Sequence, residues 1–177
     1  VLNPLIAAGR MPHMAELVRT GTAGILDSTR PPITPAAWTT FMTGKGPGQH
    51  GIVDFEKYDV RTNTLSFNST YENREKTIWE ILSEKGYRIG SINVPMTYPP
   101  QRVNGFLISG FETPSVEAEF THPADLKREI LARWPDYNYR SNWQRSTMGG
   151  DDLFRRNLDY IEHSFEQGSQ IAQWCGD

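Results

Sequence analysis

The sequence predicts an α/β layered fold, with a largely parallel sheet flanked by helices. Helix-like and strand-like patterns alternate along the chain, which is typical of this class. The chain has 177 residues, of which 37% are apolar and 22% charged, so it can bury the core of one ordinary domain. The alternation is clearest at 77–95, where Thr77 and Glu80 form a capping box, Gly86 ends a helix and a strand follows.

The first half of the chain contains two further predicted helices and one strand. "MPHMAELVRTG" (11–21) predicts a short helix, because Pro12 suits its first turn and its apolar residues have helical spacing. "TAGILDS" (22–28) predicts a strand, and 35–43 a second helix that ends at Gly44. The polar segment that follows predicts a hairpin around Arg61–Asn63.

The second half supplies strands at 87–94 and 105–111 and helices at 123–134 and 151–174. The last helix carries apolar residues spaced 4, 3 and 4 apart, which places Phe154, Leu158, Ile161 and Phe165 along one face.

We predict three regions of the chain. Residues 1–111 form the first part of the layered domain, 112–150 a lid or inserted element, and 151–177 a helix that returns to the core. The middle region is rich in Trp, Tyr, Asn and Arg. Its stretch at 133–145 is suited to stacking on a sugar or base or, equally, to covering the underside of a lid.

Charge and composition exclude several classes of protein. The formal net charge is -3, so no basic excess indicates nucleic acid or an anionic membrane as the main partner. No apolar run approaches the ~18 residues of a membrane span. The single cysteine, Cys175, rules out an internal disulfide, which favours a reducing, cytoplasmic location. The chain begins and ends in mid-pattern, so we expect a piece of a longer protein.

Thr34 is the first candidate functional residue. Pro35 suits the first position of a helix, which makes Thr34 the predicted N-cap. Its hydroxyl would then lie where unpaired backbone N–H groups and the helix dipole favour an anion. Thr is also a common cap with no further role, so capping alone remains an alternative at this point.

The larger pattern around Thr34 resembles a known family. "PPITPAAWTTFMTGKGPGQHGIVDF" (31–55) is similar to the nucleophile segment of the alkaline phosphatase superfamily, and more narrowly of type I phosphodiesterases/nucleotide pyrophosphatases and their phosphohydrolase/phosphomutase branch. The resemblance continues through "GRMPHMAELVRTG", "KTIWEILSEKGYRIGSINVPMTYPP" and "NGFLISGFETPS". It covers most of residues 5–120 and implies an alkaline-phosphatase-like fold that is incomplete in this chain.

The resemblance implies metal-dependent hydrolysis of phosphate mono- or diesters. Similar enzymes use two divalent ions, zinc or manganese. Carried over by position, Thr34 would be both nucleophile and metal ligand, and a phospho-threonine would form and be hydrolysed. The partner would be a small-molecule phosphate ester. Lys45, Asn93 and Arg102 are candidates to contact the substrate because of their types and nearby loops.

The chain departs from the family pattern in two respects. The family's other metal ligands are Asp and His residues that lie upstream and on later strands, and they have no counterpart here. Thr34 alone therefore represents the metal site, and we expect this piece to be inactive alone. The nucleotide pyrophosphatases also place an Asn five residues after the His of His-Gly-Ile, and Phe55 stands there. His50 matches that His, and we interpret it as a structural residue that hydrogen-bonds within its loop.

Three alternatives stay open or are set aside. A phosphomutase would return the phosphoryl group of phospho-Thr34 to a different hydroxyl. A non-catalytic binding or structural module would expose a sheet edge and an apolar face. A sulfatase is disfavoured because its Cys/Ser-x-Pro-x-Arg pattern is missing, and "TGKGPGQHG" lacks the order of a phosphate-binding P-loop.

Overall fold

A three-stranded sheet with helices around it confirms the α/β class. The structure is a computed structural model that describes residues 2–110, 112–137 and 151–176; the side chains of 151–154, 156 and 157 are not described. The helices are α1 (Leu2–Ala7), α2 (Pro12–Thr20), α3 (Thr34–Thr43), α4 (Pro47–His50), α5 (Ile78–Glu84), α6 (Leu126–Arg133) and α7 (Asp151–Gly176). The strands are β1 (Glu56–Asp59), β2 (Thr64–Phe67), β3 (Ile89–Val94), β4 (Gly105–Ser109) and β5 (Thr121–His122).

The strands form two separate sheets. β1 and β2 make the predicted antiparallel hairpin, with Asp59 opposite Thr64 and Asn63 in the left-handed region at φ 55°. In the second sheet β3 pairs parallel with β4, which pairs antiparallel with β5. α5 connects the hairpin to β3, and its capping box forms as expected, since Thr77 accepts from the backbone N–H of Glu80.

The main core joins the sheet to the later helices. Ile108 of β4 packs with Phe120, Ile130 of α6, Tyr137 and Ile171 of α7. Residues from the predicted lid region therefore contribute to this core as far as 137. Residues 138–150 lie outside the described residues, and the division into three regions stays a prediction.

The prediction of a strand at 22–28 was wrong. No strand forms there, and Ile25 and Leu26 are 100% and 94% exposed. A strand needs a neighbour for its backbone hydrogen bonds. The described residues place no partner strand beside this segment.

The last predicted helix forms, but its apolar face is exposed where the side chains are described. Leu158, Ile161 and Phe165 of α7 are exposed, Phe165 to 76%, and Phe154 lies outside the described side chains. The face that meets the core carries Ile171 and other residues, among them Gln167, Trp174 and Cys175. Periodicity identified the helix but not its orientation, because α7 has apolar residues on two sides.

Candidate active site around Thr34

Thr34 lies at the start of α3, one position further into the helix than predicted. The cap is Ile33, whose carbonyl accepts from the N–H of Ala37, so Thr34 is the first helical residue and Pro35 the second. The shift follows from the extended backbone of Ile33, which has φ −127° and ψ 148°. A side chain at this first position lies beside the amides that precede the first intrahelical bond.

The surroundings of the Thr34 hydroxyl are set by the first turn of α3. Thr34 is half-buried, and its hydroxyl makes no hydrogen bond within the part of the chain that the structure describes. The N–H groups of Thr34 and Ala36 have no partner inside the helix, because Pro35 has no N–H and bonding begins at Ala37. The positive end of a ten-residue helix therefore faces this hydroxyl.

His50 anchors the far side of α3. Its imidazole is fully buried: Nδ1 accepts from the backbone N–H of Ile52 at 3.1 Å, and Nε2 lies 3.0 Å from the hydroxyl of Thr40. Because Nδ1 is an acceptor, the ring proton belongs on Nε2, which also has the carbonyl of Ala36 as a partner. Burial lowers the pKa of His50, so the neutral ring is favoured.

These bonds give His50 the structural role that the sequence indicated. The imidazole joins the loop after α4 to the first and middle turns of α3, and so fixes the helix that carries Thr34. The sequence did not indicate Thr40 as a hydrogen-bond partner of His50, because nothing around Thr40 points to a histidine ten residues later.

An apolar cluster holds the other end of α3. Met42 packs with Ile52 and with Met96, which follows β3. Gly44 then ends the helix in the left-handed conformation, at φ 66°, as its position predicted. α3 is thus held by apolar packing near its carboxyl end and by His50 along its length, which leaves its first residue accessible.

Two of the residues predicted to contact the substrate, Lys45 and Asn93, lie just beyond the carboxyl end of α3 and at the carboxyl end of β3. Lys45 is exposed beyond the carboxyl end of α3, and a ten-residue helix separates its ends by roughly 15 Å. Asn93 lies at the irregular carboxyl end of β3, with φ 55°, and its side-chain oxygen accepts from the hydroxyl of Tyr137 at 2.8 Å. Substrate contact by either residue stays a prediction.

The described residues do not by themselves make a metal centre. No group of three or more His, Cys, Asp or Glu side chains comes together within them. Thr34 is therefore the one predicted ligand that this part of the chain contributes, and carboxylate and imidazole ligands would have to come from residues beyond it. The described residues also contain no helix long and apolar enough to cross a membrane.

Comparison with protein families shows to which family the chain belongs. The family model described as "Type I phosphodiesterase / nucleotide pyrophosphatase" matches residues 2–169. The chain belongs to the type I phosphodiesterase/nucleotide pyrophosphatase family. Comparison with curated proteins and with solved structures gave no significant match. The family supports phosphoester hydrolysis as the general class of chemistry, and its members are generally metal-dependent.

Proposed function

We propose that the full-length protein hydrolyses phosphate mono- or diesters of small molecules, with Thr34 as the nucleophile. The observation that carries this proposal is the Thr34 hydroxyl, which belongs to the first residue of α3 and makes no hydrogen bond with the described residues. Membership of the family supplies the class of reaction.

The helix terminus suits two parts of this reaction. Backbone N–H groups and the dipole stabilise negative charge on the Thr34 oxygen as it loses its proton, and they attract the oxygens of the phosphoryl group. The Thr34 oxygen forms a bond to phosphorus while the bond to the leaving alcohol breaks, and the alcohol departs with a proton. Water then cleaves phospho-Thr34 and restores the hydroxyl.

The proposal includes a requirement for two divalent ions, zinc or manganese, in the whole protein. Thr34 is the candidate ligand from this chain. A chelator should abolish hydrolysis, and re-addition of one of these ions should restore it. Activity that survives full metal removal would refute the requirement while leaving the nucleophile to be tested separately.

The nucleophile is tested by replacing Thr34 in the full-length protein. Thr34→Ala should lower hydrolysis of an aryl phosphate monoester or diester by roughly a thousandfold or more, whereas Thr34→Ser keeps a hydroxyl and should retain part of the activity. Thr20→Ala, at an exposed position in α2, is the matched control. Mass spectrometry of a quenched reaction should find phosphate on Thr34. An Ala variant that stays active would make Thr34 a helix residue only.

Two alternatives give different results in the same assay. A phosphomutase would form phospho-Thr34 but transfer the phosphoryl group to a hydroxyl of an added acceptor faster than to water. A non-catalytic module would give neither turnover nor phospho-Thr34.

A further inference from the structure

The exposed side of α3 carries Thr34 together with apolar residues. Ala37, Trp38 and Phe41 follow Thr34 by three, four and seven positions, so the four residues share one side of the helix. Trp38 is 38% exposed and Phe41 68%, whereas Thr39, on the other side, is buried. An exposed group of large apolar side chains thus begins within one turn of the residue that we propose as the nucleophile, and such groups are typical of binding surfaces.

Two aromatic rings and a methyl group form a shallow pocket on this side of α3. The rings of Trp38 and Phe41 meet edge to face, with their centroids 5.5 Å apart and their planes at 78°. Together with Ala37 they line a pocket of about 200 Å³, a volume sufficient for one aromatic ring. None of these three residues is charged, so this aromatic pocket favours a flat, uncharged group.

The direction of helical side chains brings the aromatic pocket toward Thr34. The bond from Cα to Cβ tilts toward the amino end of a helix, so that of Trp38 tilts toward the turn that holds Thr34. The Cβ atoms of residues four apart lie about 5–6 Å from each other. In an aryl phosphate a single oxygen joins the ring to phosphorus. When the Thr34 oxygen approaches phosphorus, the ring is therefore within reach of Trp38.

We propose that Ala37, Trp38 and Phe41 bind the leaving group of the phosphate ester, and that this group is an aromatic ring. The inference rests on the proposed function, in which Thr34 is the nucleophile. The phosphoryl oxygens then lie at the amino end of α3 and the ring lies on the aromatic pocket. As the bond from the Thr34 oxygen to phosphorus forms, the bond from phosphorus to the aryl oxygen breaks, and a neutral phenol leaves with a proton.

Phenylphosphonate and methylphosphonate test binding separately from turnover, because neither has an ester bond to cleave. Calorimetry on the full-length protein should show that phenylphosphonate binds about tenfold more tightly than methylphosphonate, or better. Trp38→Ala should remove most of this preference, and Trp38→Phe, which keeps a ring, should retain part of it. Tyr87→Ala is the matched control, since it removes an exposed ring outside α3 and should leave the preference intact.

Steady-state kinetics test the same pocket during the reaction. In Trp38→Ala, kcat/KM of the full-length protein should fall about tenfold for phenyl phosphate and change little for methyl phosphate. Because Phe41 is mostly exposed, Phe41→Ala should fold normally and should also lower the preference for the phenyl compounds. This second variant keeps the test valid if Trp38→Ala does not fold.

The outcomes separate the aromatic pocket from the nucleophile. A preference for phenylphosphonate that requires Trp38, found with hydrolysis that survives Thr34→Ala, would support the pocket and refute the nucleophile. Equal binding of the two phosphonates, or a preference that survives both Trp38→Ala and Phe41→Ala, would overturn the pocket whatever Thr34 does. Variants that change the oligomeric state but not the preference would also overturn it, because this side of α3 would then be a packing surface.

Discussion

Replacing His50 by alanine should destabilise the protein by about 3 kcal/mol, because the imidazole makes bonds that no water can replace. The ring is fully buried, and its loss leaves the Ile52 N–H without an acceptor and the Thr40 hydroxyl without its imidazole partner. Each lost bond costs roughly 1 kcal/mol, and the unsatisfied amide and the space left by the ring add the rest.

Urea unfolding of purified protein measures this loss, and two variants divide it. His50→Asn keeps an acceptor that can reach the amide two residues on but is too short for Thr40, so it should lose about half as much. The double-mutant cycle of His50→Ala with Thr40→Ala should give a coupling of about 1 kcal/mol. His13→Ala, an exposed change in α2, should stay within about 0.5 kcal/mol of the parent. A loss of unfolding free energy below about 1 kcal/mol for His50→Ala would refute this structural role of His50.

Three further outcomes follow from the same packing. Burial lowers the pKa of His50, so the unfolded chain binds the proton more readily than the folded protein does. The free energy of unfolding should therefore fall as pH drops below about 6.5 and level off below the folded pKa. A pH series of urea midpoints should show a weaker dependence in His50→Ala. Gly51→Ala, at φ 83° with a side chain 3.1 Å from the added Cβ, should lower the free energy of unfolding by about 1–2 kcal/mol. The control is Gly46→Ala, whose added Cβ would meet no atom within 4 Å. Equal losses of stability in the two variants would contradict a strained conformation at Gly51→Ala. Ile171→Ala should lower the free energy of unfolding by about 2–5 kcal/mol, whereas Phe165→Ser, on the exposed face of α7, should change it little. A larger loss for Phe165→Ser than for Ile171→Ala would mean that the face with Phe165 packs on the core.

Elements with local signals were predictable from the sequence. The helix 77–84 follows from a capping box whose partners are three residues apart, and α3 ends at Gly44 because that position needs a left-handed residue. The hairpin turn at Asn63 is likewise local. Even so, the helix at Thr34 began one residue early, because the cap depends on the backbone of Ile33 rather than on residue type.

Groups of residues that are distant in the chain were not predictable. The pairing of Thr40 with His50 and of Glu112 with Met96 joins residues ten and sixteen positions apart, and no periodicity records such contacts. Lys45 was named as a substrate-binding candidate because of its residue type and its loop, but α3 lies between it and Thr34. Residues at the two ends of a helix are near in sequence but far apart in space.

The sequence by itself determined the family, the α/β class and the hydroxyl that we propose as the nucleophile, because these depend on motifs and on turns a few residues long. The tertiary structure decided which face of α7 is buried and that 22–28 forms no strand. The reason is physical: a cap or turn is satisfied by its own neighbours, whereas burial and strand pairing depend on what the rest of the chain brings alongside.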